Sequence, residues 1–198
     1  MIYSTPAGVQ VHVLKRYARR RIFSPANQVR TILCDSLDCI QSLASGKAAC
    51  CAGYDQHRDS IAGWLKDEFP RSFKPSFVVA PPSRRLVAGD LARSFAHLYA
   101  CIDLSSSFTK LNPAIRAGEQ GVDARSLAAN FTCCANLKSV RDGDSILIVD
   151  DICSTGNSID AIKEKICLVS KAQNLHFMGA AILGVNVEVT PTQPPTTP

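Results

Sequence analysis

Asp150 and Asp151 stand side by side directly after the apolar run Ile146, Leu147, Ile148 and Val149, and the residues that follow are small: Ser154, Thr155, Gly156, Asn157 and Ser158. Adjacent carboxylates can accept hydrogen bonds from sugar hydroxyls or hold a hard cation such as Mg²⁺ through water. A glycine next to the opening of a helix lets backbone N–H groups wrap closely around a phosphate, and the helix end adds a partial positive charge. The hydroxyls of Ser154, Thr155 and Ser158 supply further donors. The two acids are too near this cradle to bind the phosphate themselves, so the run describes a site for a sugar phosphate. Taken singly, "DD" and "STGNS" read as a capped turn, because Asp and Ser are common cap and loop residues. Their conjunction is more specific. The run is not a P-loop, which ends in Gly-Lys-Ser/Thr, nor a dinucleotide fingerprint, which needs more than one glycine.

Such a site requires a buried strand before it and an amphipathic helix after it. "SILIVD" is that strand, and "SIDAIKEKICLV" spaces Ile159, Ile162 and Ile166 along one helical face. The same order occurs upstream: "SFVVA" is a short buried strand, "PPSRR" a turn, and "LVAGDLARSFAHLYA" a helix with Leu91, Phe95 and Leu98 directed inward. "GVQVHVLKRY" alternates as a strand, "RTILCDSLDCIQSLASG" has mixed helical spacing, and "FMGAAILGV" is a further apolar strand. "SIAGWLKDEF" reads as a short helix with Ile61, Trp64, Leu65 and Phe69 near one face. Alternating strand and helix units imply an α/β fold, a mostly parallel sheet flanked by helices, with a small N-terminal appendage or hood. The expected division is an N-terminal segment over residues 1–70, a core over 71–188, and a disordered Pro/Thr-rich tail over 189–198.

A chain of 198 residues with 46% hydrophobic content can bury one substantial core. The basic excess, 22 residues against 17 acidic, is concentrated early: Lys15, Arg16, Arg19, Arg20, Arg21 and Arg30 occur before the first acid. That favours an anionic partner, either a phosphate-bearing metabolite or nucleic acid. "MIYSTPAGVQ" lacks a signal-peptide pattern, and no apolar run reaches the ~20 residues that cross a membrane, so a cytoplasmic protein without membrane contact is expected. Nine cysteines, with neighbours at Cys50/Cys51 and Cys133/Cys134, form no CxxC pair. They read as reduced apolar fillers, and Cys34, Cys39, Cys50, Cys51 and His57 are poorly spaced for a zinc site.

"ILIVDDICSTGNS" resembles the phosphoribosyl pyrophosphate (PRPP) binding motif of type I phosphoribosyltransferases. The resemblance implies that Asp150 and Asp151 meet the ribose hydroxyls, hold Mg²⁺ through water and are the catalytic residues, their carboxylates stabilising the electron-poor ribose, while Ser154, Thr155, Gly156, Asn157 and Ser158 cradle the 5′-phosphate. It further implies a pyrophosphate loop at "VVAPPSRR", with Ser83, Arg84 and Arg85, and a mobile flap over "SSSFTKLNPAIRAGEQGVDARSLAANF" that brings in Lys110, and also Arg116 and Arg125. The order of these features is most similar to the ComF-type branch associated with bacterial competence, although the CxxC zinc module often found there is missing. Similarity is closest over 145–159 and extends over roughly 75–185.

The activity so implied is transfer of phosphoribosyl from PRPP to a nucleobase or other nitrogen acceptor, with release of pyrophosphate and a homodimer among the expected assemblies. The alternative is a PRPP or nucleotide sensor without turnover that contacts nucleic acid or a protein partner, to which the basic "LKRYARRRIF" would contribute.

Overall fold

The computed structural model describes residues 2–17, 61–83, 87–115 and 121–185. Eight strands are present among them: β1 (Ile2–Ser4), β2 (Gln10–Tyr17), β3 (Phe77–Val79), β4 (Ile102–Asp103), β5 (Phe108–Lys110), β6 (Phe131–Cys133), β7 (Ser145–Cys153) and β8 (His176–Val185). Helix α1 is seen over 61–67, followed by α2 (Val87–Tyr99), α3 (Ala124–Ala129) and α4 (Asn157–Ser170). Six strands form one sheet in the order β1-β2-β8-β7-β3-β4, and β5 and β6 form a separate pair. Within the large sheet β2, β8, β7, β3 and β4 run parallel, and β1 returns antiparallel to β2. The expected mostly parallel α/β sheet is therefore observed.

Two apolar layers cover the sheet. On one face Leu147, Val149, Ala180 and Ile182 pack against Ile61, Leu65 and Phe69 and against Val87, Leu91 and Phe95 of α2. On the other, Ile146, Ile148, Val9, Val11 and Val13 pack against Ile159, Ile162 and Ile166 of α4 and against Leu127 and Phe131. Each fully buried aliphatic side chain contributes about 1.5–3 kcal/mol. This explains why β7 and β8 read as continuous hydrophobic runs, since both of their faces are covered.

The strands expected at "GVQVHVLKRY", "SFVVA", "SILIVD" and "FMGAAILGV" are found, and so is the isoleucine face of α4. Two side chains expected in the core lie outside it. Trp64 and Leu98 are exposed. Ala62 and Leu65 turn inward instead of Trp64, and in α2 Tyr99 stacks on Phe95 with ring centroids 6.3 Å apart, taking the inward place at the end of the helix. Residues 2–17 are built into the sheet and α1 packs beneath it, so these parts of the N-terminal segment belong to the core. The remainder of that segment, with "RTILCDSLDCIQSLASG", residues 18–60 and the tail, lies outside the described residues. Among the described residues no helix is long and apolar enough to cross a membrane. The described cysteines, Cys101, Cys133, Cys134, Cys153 and Cys167, are free thiols, as the sequence suggested for them.

One polar side chain is out of keeping with its surroundings. His12 on β2 is buried edge-on against Phe69, with centroids 4.9 Å apart, and neither ring nitrogen has a hydrogen-bond partner. Burial holds its pKa below the ordinary value, assisted by the positive N-terminus and opposed by Glu68. The folded protein therefore keeps His12 neutral, whereas the unfolded chain protonates it below about pH 6.5. Stability attributable to this group is complete above that pH and is lost as the pH falls, by at most about 1.4 kcal/mol per pH unit. Urea unfolding between pH 7.5 and 5.5 should show a smaller acid-side loss for His12→Leu than for the unaltered protein. Parallel pH profiles would contradict this origin.

Candidate functional site

The crossover from β3 through α2 to β4 leaves toward one edge of the sheet, and the crossover from β7 through α4 to β8 leaves toward the other. α2 packs on one face and α4 on the opposite face. Between the adjacent strands β3 and β7 the connections thus diverge, and the carboxyl ends at such a point are where open α/β sheets bind ligands. Val79 is level with Ile148, so the loop holding Ser83 and the acids Asp150 and Asp151 emerge at the same edge. A separate cleft of about 730 Å³ involves Ser145, His176 and Phe177 at the opposite, amino-terminal ends of β7 and β8, and is not this site.

Strand β7 extends to Cys153, so both acids lie within its last residues rather than beyond it. Their carboxylates are fixed by the backbone: Asp151 N–H donates to Asp150 Oδ1 at 2.9 Å, and Ile152 N–H donates to Asp151 Oδ1 at 2.8 Å. The strand also changes face here. Leu147 and Val149 join one apolar layer and Ile146 and Ile148 the other, yet Ile152 packs on the side of Leu147 and Cys153 on the side of Ile146. Asp150 is left partly exposed and Asp151 is buried, at 6% of its full accessibility. Cys153, beside them, is a packing residue. Burial, followed by the nearby carboxylates of Asp150 and Asp160, pushes its thiol up to about 12, so it stays protonated near neutral pH.

Ser154, Thr155 and Gly156 make the turn, and α4 starts at Asn157, so Asn157 and Ser158 belong to its first turn. Gly156 caps the helix with φ +78°, a left-handed conformation that other residues adopt at a cost. A second constraint acts on the same residue. A Cβ added there would lie 2.6 Å from Thr5 Cγ2. Thr155 Oγ1 accepts from Asn157 N–H at 3.4 Å, while the Asn157 side chain donates to the Val122 carbonyl at 3.0 Å. Asn157 therefore ties the loop to the segment leading into α3.

The segment between the two βα units, where a mobile flap was expected, carries ordered elements in its described residues. β5 and β6 form an antiparallel hairpin, and Phe108, Leu127 and Phe131 are buried in the core. Asn130 locks the two arms: its Oδ1 accepts from Asn112 N–H at 2.8 Å and its Nδ2 donates to the Asn112 carbonyl at 2.9 Å. Lys110 sits on this hairpin and donates to the Ile115 carbonyl at 3.4 Å. Ser83 is exposed in the loop after β3. The remaining expected pyrophosphate residues, Arg84 and Arg85, and the flap residue Arg116 lie outside the described residues.

Three residues of this neighbourhood have no part in the sequence reading. Asp160, only 3% accessible, accepts from the Thr5 hydroxyl and from Ala7 N–H at 3.0 Å, and Tyr3 donates its hydroxyl to the Thr155 carbonyl at 3.1 Å. Nothing in the local pattern marks them, because the contacts join positions more than 150 residues apart.

A family model described as the phosphoribosyl transferase domain matches residues 54–169, more than half of the chain. The chain belongs to the phosphoribosyl transferase family. The match spans α1, β3, the β5–β6 hairpin, β7 and most of α4, and leaves out β1, β2 and β8. Among solved structures, the chain is similar to adenine phosphoribosyltransferase from Saccharomyces cerevisiae, with 18% identity, TM-score 0.43 and coverage of 67% of this chain and 69% of that one. It is also similar to adenine phosphoribosyltransferase from Thermoanaerobacter pseudethanolicus, with 13% identity, TM-score 0.42 and coverage of 67% and 80%. Purine phosphoribosyltransferase from Pyrococcus horikoshii shares 14% identity at TM-score 0.34, over 71% of this chain and 92% of that one. No curated protein sequence matches the chain.

Gly156 allows the loop geometry to be tested separately from any ligand. Gly121, at φ +82°, has open space where a Cβ would go, whereas Gly156 has Thr5. Gly121→Ala should cost about 1 kcal/mol for left-handed strain. Gly156→Ala should cost about 1–3 kcal/mol more, because overpacking adds to the same strain. Denaturant unfolding measures both, and equal losses would show that Thr5 does not press on the loop.

Proposed function

We propose that this phosphoribosyl transferase domain binds PRPP with Mg²⁺ and transfers the phosphoribosyl group to a nucleobase or other nitrogen acceptor, releasing pyrophosphate. The observation that carries the reading is the placement of Asp150, Asp151 and the 154–156 turn together at the carboxyl end of β7, where the crossovers diverge. The turn and the start of α4 receive the 5′-phosphate, with N–H groups and helix dipole opposing its charge. Asp150 and Asp151, oriented by the backbone N–H bonds they accept, take hydrogen bonds from the ribose hydroxyls. Their negative charge also stabilises the electron-poor ribose that forms as pyrophosphate departs.

The residues fit Mg²⁺ in a limited way. Carboxylate oxygens are the hard donors it prefers, and among the described residues no group of three His, Cys, Asp or Glu side chains converges as an all-protein cage would require. Asp150 and Asp151 would therefore hold the ion through water, with substrate oxygens completing its shell. Bound there, Mg²⁺ supplies charge neutralisation for the pyrophosphate leaving group. Ser83, Arg84, Arg85 and Lys110 are assigned to the pyrophosphate itself, guanidinium being matched in shape to phosphate oxygens. The hairpin of β5 and β6 carries the segment that excludes water while the ribose is reactive.

Two substitutions test this reading. Asp150→Asn with Asp151→Asn keeps the Oδ1 acceptors for Asp151 N–H and Ile152 N–H, so the melting temperature should hold or rise as two crowded negative charges are removed. Losing two charge-assisted interactions of about 1.5–3 kcal/mol each should weaken Mg²⁺-dependent PRPP binding at least about 100-fold. Calorimetric titration measures this, and undiminished affinity in the folded variant rejects the site. Charge removal at Arg84 and Arg85 should weaken PRPP more than ribose 5-phosphate. Release of pyrophosphate from PRPP with an acceptor panel tests turnover, and tight binding without release would identify a sensor.

A further inference from the structure

The hairpin of β1 and β2 lies outside the residues matched by the family, yet its turn is docked against the loop assigned to the 5′-phosphate. The Thr5 hydroxyl and Ala7 N–H both donate to the carboxylate of Asp160, in the first turn of α4. Thr5 Oγ1 also accepts from Val9 N–H at 3.1 Å, and Thr5 N–H donates to the Val9 carbonyl at 2.9 Å, so the residue that holds Asp160 is itself held. Tyr3 reaches Thr155 from β1, and Lys163, one turn after Asp160, donates to the Ala7 carbonyl at 2.7 Å. Thr5 completes the enclosure by filling the space beside the left-handed Gly156. A buried carboxylate without such partners would be costly, so the hairpin and the helix start stabilise one another.

We propose that Asp160, Thr5 and Tyr3 are positioning residues that clamp the 154–158 loop in the shape that receives the 5′-phosphate, making the N-terminal hairpin part of the phosphoribosyl site. The proposal rests on the assignment of that loop made above. The Thr155 carbonyl is drawn toward Tyr3, which turns that peptide oxygen away from other uses and fixes the plane of the peptide whose N–H belongs to Gly156. Burial, Cys153 and Asp160 raise the pKa of Tyr3, so its hydroxyl remains a neutral donor at any pH at which the protein would be assayed. Asp160 places a negative charge close to the phosphate loop, and the two bonds from the hairpin direct that charge onto Thr5 and Ala7. Loosening the hairpin thus harms the site twice: the loop loses its shape, and a carboxylate is released beside an anion site.

The test uses the full-length chain with Tyr3→Phe, Asp160→Asn and Thr5→Val, the first being the mildest should Thr5→Val fail to fold. Amide hydrogen exchange without ligand should quicken over residues 154–160 in each variant and stay unchanged in α2. Affinity for ribose 5-phosphate should fall at least about ten-fold in Tyr3→Phe and Thr5→Val, while affinity for free pyrophosphate is retained. A merely structural role would loosen the whole fold and weaken both ligands alike. Unchanged exchange at 154–160, unchanged ribose 5-phosphate affinity, or equal loss of both ligands would each overturn the clamp. Failure of the unaltered protein to bind ribose 5-phosphate or PRPP would overturn the site assignment itself, and the clamp's role in the site with it.

Discussion

Strand β7 lies between two parallel neighbours, β8 and β3, and its residues Ile146, Leu147, Ile148 and Val149 are wholly excluded from water. A strand covered on both faces has no place for charge along its length, so acids in the same segment must come where the sheet ends. In this chain they come at the carboxyl end, beside the divergence of two crossovers. The change of face between Val149 and Ile152 follows from the same constraint. The carboxylates of Asp150 and Asp151 each accept from the backbone N–H of the residue that follows, and Ile152 and Cys153 then pack on the opposite faces to those that strict alternation would give.

The negative charge gathered there dictates the chemistry of the surroundings. Asp150, Asp151 and Asp160 lie along eleven residues of chain, and the thiol of Cys153 between them is kept protonated by its burial and by the charges of Asp150 and Asp160. Each carboxylate is held by a different device. Asp150 and Asp151 use the adjacent backbone, and Asp160 uses a hairpin from the other end of the sequence. The 154–158 loop between them carries no carboxylate, and its residues present hydroxyls and N–H groups at the positive end of a helix.

The hairpin of β5 and β6 shows why composition alone misleads about order. Its sequence is polar and glycine-bearing and the resemblance implied a mobile flap there, but Phe108 and Phe131 anchor its strands in the core and Asn130 bridges its arms. Thr109 and Thr132 meet across the pair through their hydroxyls. Strands of three residues whose partners lie 21 to 25 positions away have no periodicity to read, and only the pairing makes them strands.

The buried strands β3, β7 and β8, the isoleucine face of α4 and the acid-and-hydroxyl run from Asp150 to Ser158 were all legible in the sequence. Each is a local pattern, dictated by the spacing of apolar residues or by the chemistry of neighbouring side chains. Trp64 and Leu98 were misassigned because helical spacing defines a face without saying which member of its rim a neighbour displaces, and in α2 that neighbour is Tyr99. β1 was unreadable as three residues, and no local pattern marked Asp160. Their meaning arises when folding brings Tyr3 and Thr5 to Thr155, Gly156 and Asp160. A motif of adjacent residues is written in the chain, whereas a clamp between its two ends exists only after the sheet has formed, because hydrogen bonds and steric contact depend on distance in space and not on separation in sequence.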